Sequence, residues 1–304
     1  MSFSEKIYAL LNKGFEEMQE RRRIEEDQKE PALRGGNSGA MLPDGTIIGG
    51  DPRIAVLRYL GIETPVDFDL QLLFHAGLLN EEAVAELLEM SGAKFKREED
   101  CPVEWMTKNG SSVTGRPDFG ELEIDGKKGG IELKAILGNW SAVKYAHFGY
   151  AKPKPDNVCQ GAHYFFKSGA DFWVLMYISR SHTSFYVGAD KLKDPNHRAL
   201  KMNKGKAVGA KPFMSIYEMQ KGEDGFIYMD GKKTVIDEAS IDRYYEYVYD
   251  CIRNEKVPVV NSAADIYGNP IKLKEYNTYF IYDTRISNWS EWVLDCQQRA
   301  LESA

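Results

Sequence analysis

The chain has 304 residues, 43% hydrophobic and 28% charged, a globular composition long enough for one large domain or two small ones. No run approaches the roughly 18 apolar residues of a membrane span, and the four scattered cysteines, Cys101, Cys159, Cys251 and Cys296, include no CxxC pair, which argues against zinc and disulfide frameworks. A net charge of −7 argues against a protein that lives by non-specific nucleic-acid affinity, although a metal site is itself built from acids and a local basic groove can coexist with a negative total.

The opening stretch lacks the apolar core and cleavage site of a signal peptide, so a cytoplasmic location is expected, with all four cysteines as free thiols. A helix is predicted over 4–30, with Ile7, Leu11, Phe15 and Met18 as its apolar stripe and Pro31 as its stop. It reads as an arm packed on the domain or on a second subunit. Arg21, Arg22 and Arg23 could touch phosphate, but Glu25, Glu26 and Asp27 follow them, as on a solvated face. Residues 34–52 form a glycine-rich loop or short hairpin with neither a Walker lysine nor a GxGxxG pattern. Pro52 then opens a helix that Gly61 closes.

The next helix is predicted over 67–90. Leu72, Leu79, Val84, Leu87 and Leu88 give it a broad apolar face, so it is expected to be mostly buried, with Glu81, Glu82, Glu86 and Glu89 as its carboxylates. Gly77 lies mid-helix, where glycine costs about 1 kcal/mol against alanine. Close approach to another backbone would justify it, and Glu81 follows one turn later on the same side. Three antiparallel strands are expected at 94–107, 111–124 and 129–137. An aromatic and basic loop at 139–155 leads to a helix from Asp156 to Gly169, then to strands at 171–180 and 183–189. Residues 191–211 carry seven Lys or Arg and one Asp, either a solvated loop or a phosphate-contacting flap. A late helix spans 237–256 with Asp237 as its N-cap. The tail holds a strand at 278–283 and a last helix at 290–303. With no repeat and no low-complexity linker, the chain divides into an N-terminal helical arm, 1–33, and a single domain, 34–304. That domain has its core at about 67–190 and a C-terminal elaboration at about 191–304.

The chemistry concentrates at 115–135. Asp125-Gly126 between two runs with apolar residues is a hairpin signal. It folds Asp118 back beside Glu132, and Lys134, two residues on, shares the face of Glu132. Two carboxylates and an ammonium then converge, and carboxylate oxygens are what hard divalent cations take. Glu132 and Lys134 sit among Ile131, Leu133, Ala135 and Ile136, where unpaired charges are costly. Gln160 and Tyr164 lie one turn apart on the following helix.

The order Gly77-x-x-x-Glu81, Pro117-Asp118, Glu132-x-Lys134, Gln160-x-x-x-Tyr164 resembles the PD-(D/E)xK nuclease superfamily. Within it, the chain is similar to the RecB-like and phage lambda-type exonuclease branch, over roughly 50–190. The resemblance implies an α/β (α+β) fold with a restriction-endonuclease-like core, a central mixed sheet flanked by helices. It implies a divalent-metal DNA exonuclease serving recombination, repair or replication in a bacterial cell or a phage-infected host. Asp118, Glu132 and Lys134 would be catalytic. Glu81, Asp118, Glu132 and the backbone carbonyl of Leu133 would hold one or two Mg²⁺ or Mn²⁺ ions, with Lys134 orienting and activating the attacking water. Gln160 and Tyr164 would hold the DNA strand or steady Lys134, with His163 and the basic-loop Lys201, Lys204 and Lys206 as further substrate contacts. Trp140, Tyr145, His147, Phe148 and Tyr150 could stack bases or contact DNA. His75 reads as a packed histidine.

Some relatives hold an Fe–S cluster with one cysteine before the core and three after it. Here Asp51 stands at the first position and Cys251 and Cys296 do not cluster, so no cluster is expected, with Tyr279, Tyr282 and Trp289 packing in its stead. Partners implied are single-stranded DNA or duplex ends, with a homo-oligomer or a recombination protein as possible company, and no membrane. Two other readings stay open. One is a structure-specific or restriction-like endonuclease, which a covalently closed circle separates from an exonuclease. The other is a catalytically idle DNA-binding or assembly protein, against which the intact Asp118, Glu132 and Lys134 argue.

Overall fold

A helix, Phe3–Asp27 (α1), leads the computed structural model, which describes residues 3–27, 32–59, 68–136, 153–179, 214–256 and 258–272. The glycine-rich stretch folds into Leu33–Arg34 (β1), Gly39–Met41 (β2) and Ile47–Gly49 (β3), the last two a hairpin. Pro52–Tyr59 (α2) follows. Asp51 accepts the Arg53 N–H at 2.9 Å and pairs with the Arg53 guanidinium at 2.7 Å, both side chains buried. The position considered for a cluster cysteine is thus a helix cap and half of a buried ion pair.

Phe68–Met90 (α3) precedes Lys96–Arg97 (β4), Val103–Met106 (β5), Ser112–Gly115 (β6), Phe119–Ile124 (β7) and Lys127–Ile136 (β8). Pro155–Ser168 (α4), capped by Gly169 at φ +70°, leads into Phe172–Ser179 (β9). Met214–Lys221 (β10), Phe226–Met229 (β11), Lys232–Asp237 (β12) and Glu238–Arg253 (α5) complete the main body. Short strands Ala263–Ala264 (β13) and Pro270–Ile271 (β14) close a small sheet with β3 and β2.

The fold is mixed α/β, with a central mixed sheet flanked by helices. Its seven strands run in the order β12-β11-β10-β9-β8-β7-β4, parallel only between β8 and β9. The two faces are told apart by alternation along β9. Trp173, Leu175 and Tyr177 join the core formed with α4 and α5, whereas Val174, Met176 and Ile178 pack with Phe119, Ile131 and Leu133 under Val84, Ala85 and Leu88 of α3. The Asp237 cap holds as predicted: its side chain accepts from Ser240 N at 2.7 Å, and the Ser240 hydroxyl accepts from Asp237 N at 3.1 Å, a capping box.

Three expectations change. The stretch 94–137 is not three strands. It forms five, and the β5–β6 pair leaves the main sheet, with β6 pairing β1, because Pro102 and Pro117, which lack the N–H a ladder needs, interrupt it. Nor is α3 mostly buried: Leu79 is 70% and Leu87 68% exposed, since only the Val84-Ala85-Leu88 side meets the sheet. Strands β10, β11 and β12, absent from the sequence reading, extend the main sheet well beyond 190. Ile7 and Leu11 of the α1 stripe are exposed, as are Phe3 and Leu10 beside them, so the domain does not cover this part of the arm. The aromatic loop, the basic loop, the strands at 183–189 and 278–283 and the last helix lie outside the described residues, and so do Lys201, Lys204, Lys206, Tyr279, Tyr282, Trp289 and Cys296. Cys101, Cys159 and Cys251 are free thiols. Among the described residues no helix is long and apolar enough to cross a membrane.

Candidate active site

The Asp125-Gly126 pair makes the expected two-residue turn, with φ of +50° and +77° and Ile124 facing Lys127. Register then shifts by one residue between Phe119 and Leu122, where Glu121 takes φ +49°: a β-bulge. Past the bulge Phe119 faces Ile131, and one step further brings Asp118 level with Glu132. Strand β7 has begun only at Phe119, so the Asp118 side chain takes the ladder position itself: its Oδ2 accepts from Leu133 N at 2.6 Å.

Ile131 and Leu133 face α3, so Glu132 and Lys134 face α4. There the Lys134 ammonium donates to Glu132 Oε1 at 2.6 Å and to Gln160 Oε1 at 2.9 Å. Gln160 Nε2 donates in turn to the Tyr164 hydroxyl at 3.3 Å. Tyr164 is buried, its ring seated where a Cβ on Gly35 or Gly115 would come within 2.8 Å or 2.3 Å of its Cε1. The sequence-predicted Asp118, Glu132, Lys134, Gln160 and Tyr164 are therefore one connected polar cluster. In it Gln160 bonds the lysine and Tyr164 bonds Gln160, with Tyr164 buried.

Glu81 joins through charge. Burial first, then Asp118 and Glu98, push its carboxyl up to about 7, with Lys134 and Arg97 opposing. Burial, followed by the neighbouring Asp118, pushes Glu132 up to about 8, and burial likewise raises Asp118. Burial pulls the Lys134 ammonium down, but Glu132 and Asp118 outweigh it and hold it above its ordinary value. Three carboxyls around one ammonium leave a surplus of buried acid, which a bound cation would relieve.

The donor set fits a hard divalent cation on one atom in particular. Glu132 is 1% exposed and its Oε2 has no hydrogen-bond partner, the cost of which a cation would remove. Among the described residues no three His, Cys, Asp or Glu side chains stand together as a ready cage. The fitting set is therefore two carboxylates, Asp118 and Glu132, with the Leu133 carbonyl, and Glu81 further off on α3. His75 is exposed on α3.

His163 requires a correction. It is 0% exposed, ringed by Trp105, Tyr164 and Tyr245, and its Nδ1 shares hydrogen bonds with the Tyr245 hydroxyl at 2.8 Å and the Ser38 hydroxyl at 3.3 Å. A ring sealed in this way does not contact substrate. Burial, aided by Lys167, pushes it down to about 3. Unfolded, it titrates near 6.5, so between pH 6.5 and 3 the unfolded chain binds the extra proton. Stability is thus fully present above pH 6.5 and falls as pH drops through that window, by up to about 1.4 kcal/mol per pH unit from this group. Urea midpoints measured from pH 7 to pH 5 are expected to fall less steeply in His163→Asn than in the parent. Parallel curves would assign the acid sensitivity elsewhere.

Arg97 and Glu98, which border the cluster with the helix carboxylate Glu82, go beyond the sequence-predicted site; their signal is the charged run at 96–100 just after the Glu81 helix.

No protein-family model matches the chain, and no curated protein matches it. Among solved structures it is similar to SSO0001, at 15% identity and a TM-score of 0.41, over 82% of this chain and 88% of that one. It is also similar to an alkaline exonuclease (LHK-Exo) from Laribacter hongkongensis, at 15% identity and a TM-score of 0.30, over 43% of this chain and 60% of that one. Likenesses that distant leave the functional reading to the side chains.

Proposed function

We propose that the protein is a divalent-metal-dependent nuclease that hydrolyses phosphodiester bonds at DNA ends. The observation that carries this is Lys134 Nζ, tied at once to Glu132 and to Gln160 beside a buried, unpartnered Glu132 Oε2. A solvated hairpin has no use for such an arrangement, whereas a site that orients and activates a water beside a cation does. Asp118, Glu132 and the Leu133 carbonyl would hold Mg²⁺ or Mn²⁺, with Glu81 adding negative charge from the α3 side. The ion, when bound, supplies a more acidic water and neutralises charge on the phosphate.

The protein's own groups do the rest. Lys134, kept protonated by its two carboxylates, donates to the attacking water and orients it toward phosphorus. Gln160 limits where that ammonium can reach, and Tyr164, wedged between Gly35 and Gly115, limits Gln160. The end-directed reading rests on the Gln160–Tyr164 pair through its family resemblance, and so does a place in cytoplasmic DNA recombination, repair or replication.

An end-labelled digestion series tests it. Linear duplex or single strand should disappear only with Mn²⁺ or Mg²⁺ present, while a covalently closed circle stays intact. Cutting of the circle would make the protein an endonuclease. Metal binding without turnover on any of the three would make it an idle DNA-binding relative.

A further inference from the structure

Glu81 depends on how α3 sits on the sheet. Packing onto Phe119, Ile131 and Leu133 begins at Val84 and continues through Ala85 and Leu88. Before Glu81, Leu72, Phe74, Leu78 and Leu79 are exposed. Among the described side chains of α3, hydrophobic contact with the sheet therefore lies downstream of the carboxylate the helix has to place.

A polar tie lies beside Glu81 itself. Arg97 of β4 donates from Nη1 to Glu82 Oε2 at 3.0 Å and from Nη2 to Glu82 Oε1 at 2.9 Å, a two-pronged fork onto the residue beside Glu81. The other end of the fork is fixed as well. Arg97 faces Phe119 across the β4–β7 ladder, its guanidinium carbon lies 5.9 Å from the Phe119 ring, and Phe119 is the neighbour of Asp118. One arginine thus links the turn of Glu81 to the strand start of Asp118.

We propose that the Arg97–Glu82 fork is a clamp that sets the position of Glu81 relative to Asp118, making Arg97 a positioning residue for cation binding. The inference rests on the nuclease reading given above. A partly exposed pair of this kind contributes little to stability. Its effect belongs instead to geometry, as for groups that orient metal ligands, where loss costs about 10- to 100-fold in affinity or activity.

Arg97→Gln, Glu82→Gln, the exchange Glu82→Arg with Arg97→Glu, and Asp118→Ala are to be compared with the parent in three measurements. These are Mn²⁺ binding followed by the paramagnetic signal of the free ion, kcat and KM on linear DNA, and thermal midpoint. Both single Gln variants should weaken Mn²⁺ binding by about tenfold, leave KM for DNA unchanged, and leave the thermal midpoint near that of the parent. The exchange should recover most of the loss. The clamp is overturned if KM rises while Mn²⁺ binding holds, since Arg97 would then touch the substrate. It is equally overturned if Arg97→Gln acts and Glu82→Gln does not, or if lost binding merely follows a lowered midpoint. Should Asp118→Ala match the parent in both Mn²⁺ binding and turnover, the nuclease reading fails instead, whatever the clamp variants do. Glu82 is largely exposed, so Glu82→Gln keeps the test available if Arg97→Gln does not fold.

Discussion

Replacing Lys134 with alanine is expected to slow metal-dependent DNA hydrolysis by about a thousandfold, the scale seen when a preorganised donor or proton-handling group is removed. Two losses combine. The water loses the donor that orients it, and Glu132 loses the partner of its Oε1 while its Oε2 already has none. A buried carboxylate without a counter-charge takes up a proton, which raises Glu132 further and weakens it as a ligand. Lys134→Arg should not rescue the rate, because a planar fork cannot occupy the point between Glu132 Oε1 and Gln160 Oε1 that a compact ammonium fills. The measurement is a single-turnover rate on end-labelled DNA at saturating Mn²⁺. A rate within tenfold of the parent would remove Lys134 from the chemistry.

Gly130→Ala is expected to destabilise the fold by about 3 kcal/mol, the upper range for overpacking a filled core. Gly130 lies on β8 opposite Trp173 of β9, in the parallel pair at the centre of the sheet. A Cβ there would meet Trp173 Cη2 at 2.4 Å, Trp173 Cζ3 at 2.6 Å and the Phe119 carbonyl at 2.8 Å. Trp173 is buried and the carbonyl is backbone, so neither yields easily. Gly126→Ala is the control. Its φ of +77° strains any side chain, but nothing lies within 4 Å, so about 1–2 kcal/mol is expected. Urea unfolding with an unchanged slope separates the two. A smaller loss at Gly130 than at Gly126 would contradict the packing described for the central pair.

Local signals proved the most legible. The Asp-Gly turn, the pairing of Glu132 with Lys134, the one-turn step from Gln160 to Tyr164 and the Asp237 cap all depend on residues within a few positions of each other. What misled was partner choice. Leucines recur around α3 on more than one side, and periodicity alone does not say which side meets a sheet; Leu79 and Leu87 lie outside while Ala85 lies inside. The 94–137 region alternates well enough for a meander, but Pro102 and Pro117 divide it between two sheets, and the parallel partner of β6 is β1, some eighty positions earlier. His163 reads as a candidate contact beside Gln160 because nothing nearby reveals that Tyr245, on a helix 82 residues later, closes over it. Strands β10 to β12 carry mixed polar and aromatic residues that pack only once β9 is beside them.

The bulge at Glu121 bears on how the hairpin can change in length. A bulge takes up a surplus residue in one arm without moving the pairs on either side, so losing the one between Asp118 and Leu122 would leave Asp118 level with Glu132 and within reach of Leu133 N. Beyond the bulge, paired additions at the tip, around Asp125 and Gly126, would lengthen both arms without changing which way Asp118 faces. The spacing between the two halves of the motif is thus elastic at both ends, by pairs at the tip and by a single residue at the bulge. A hairpin that differs at its tip in even steps, or by the single odd residue near Glu121, keeps its aspartate and glutamate side by side.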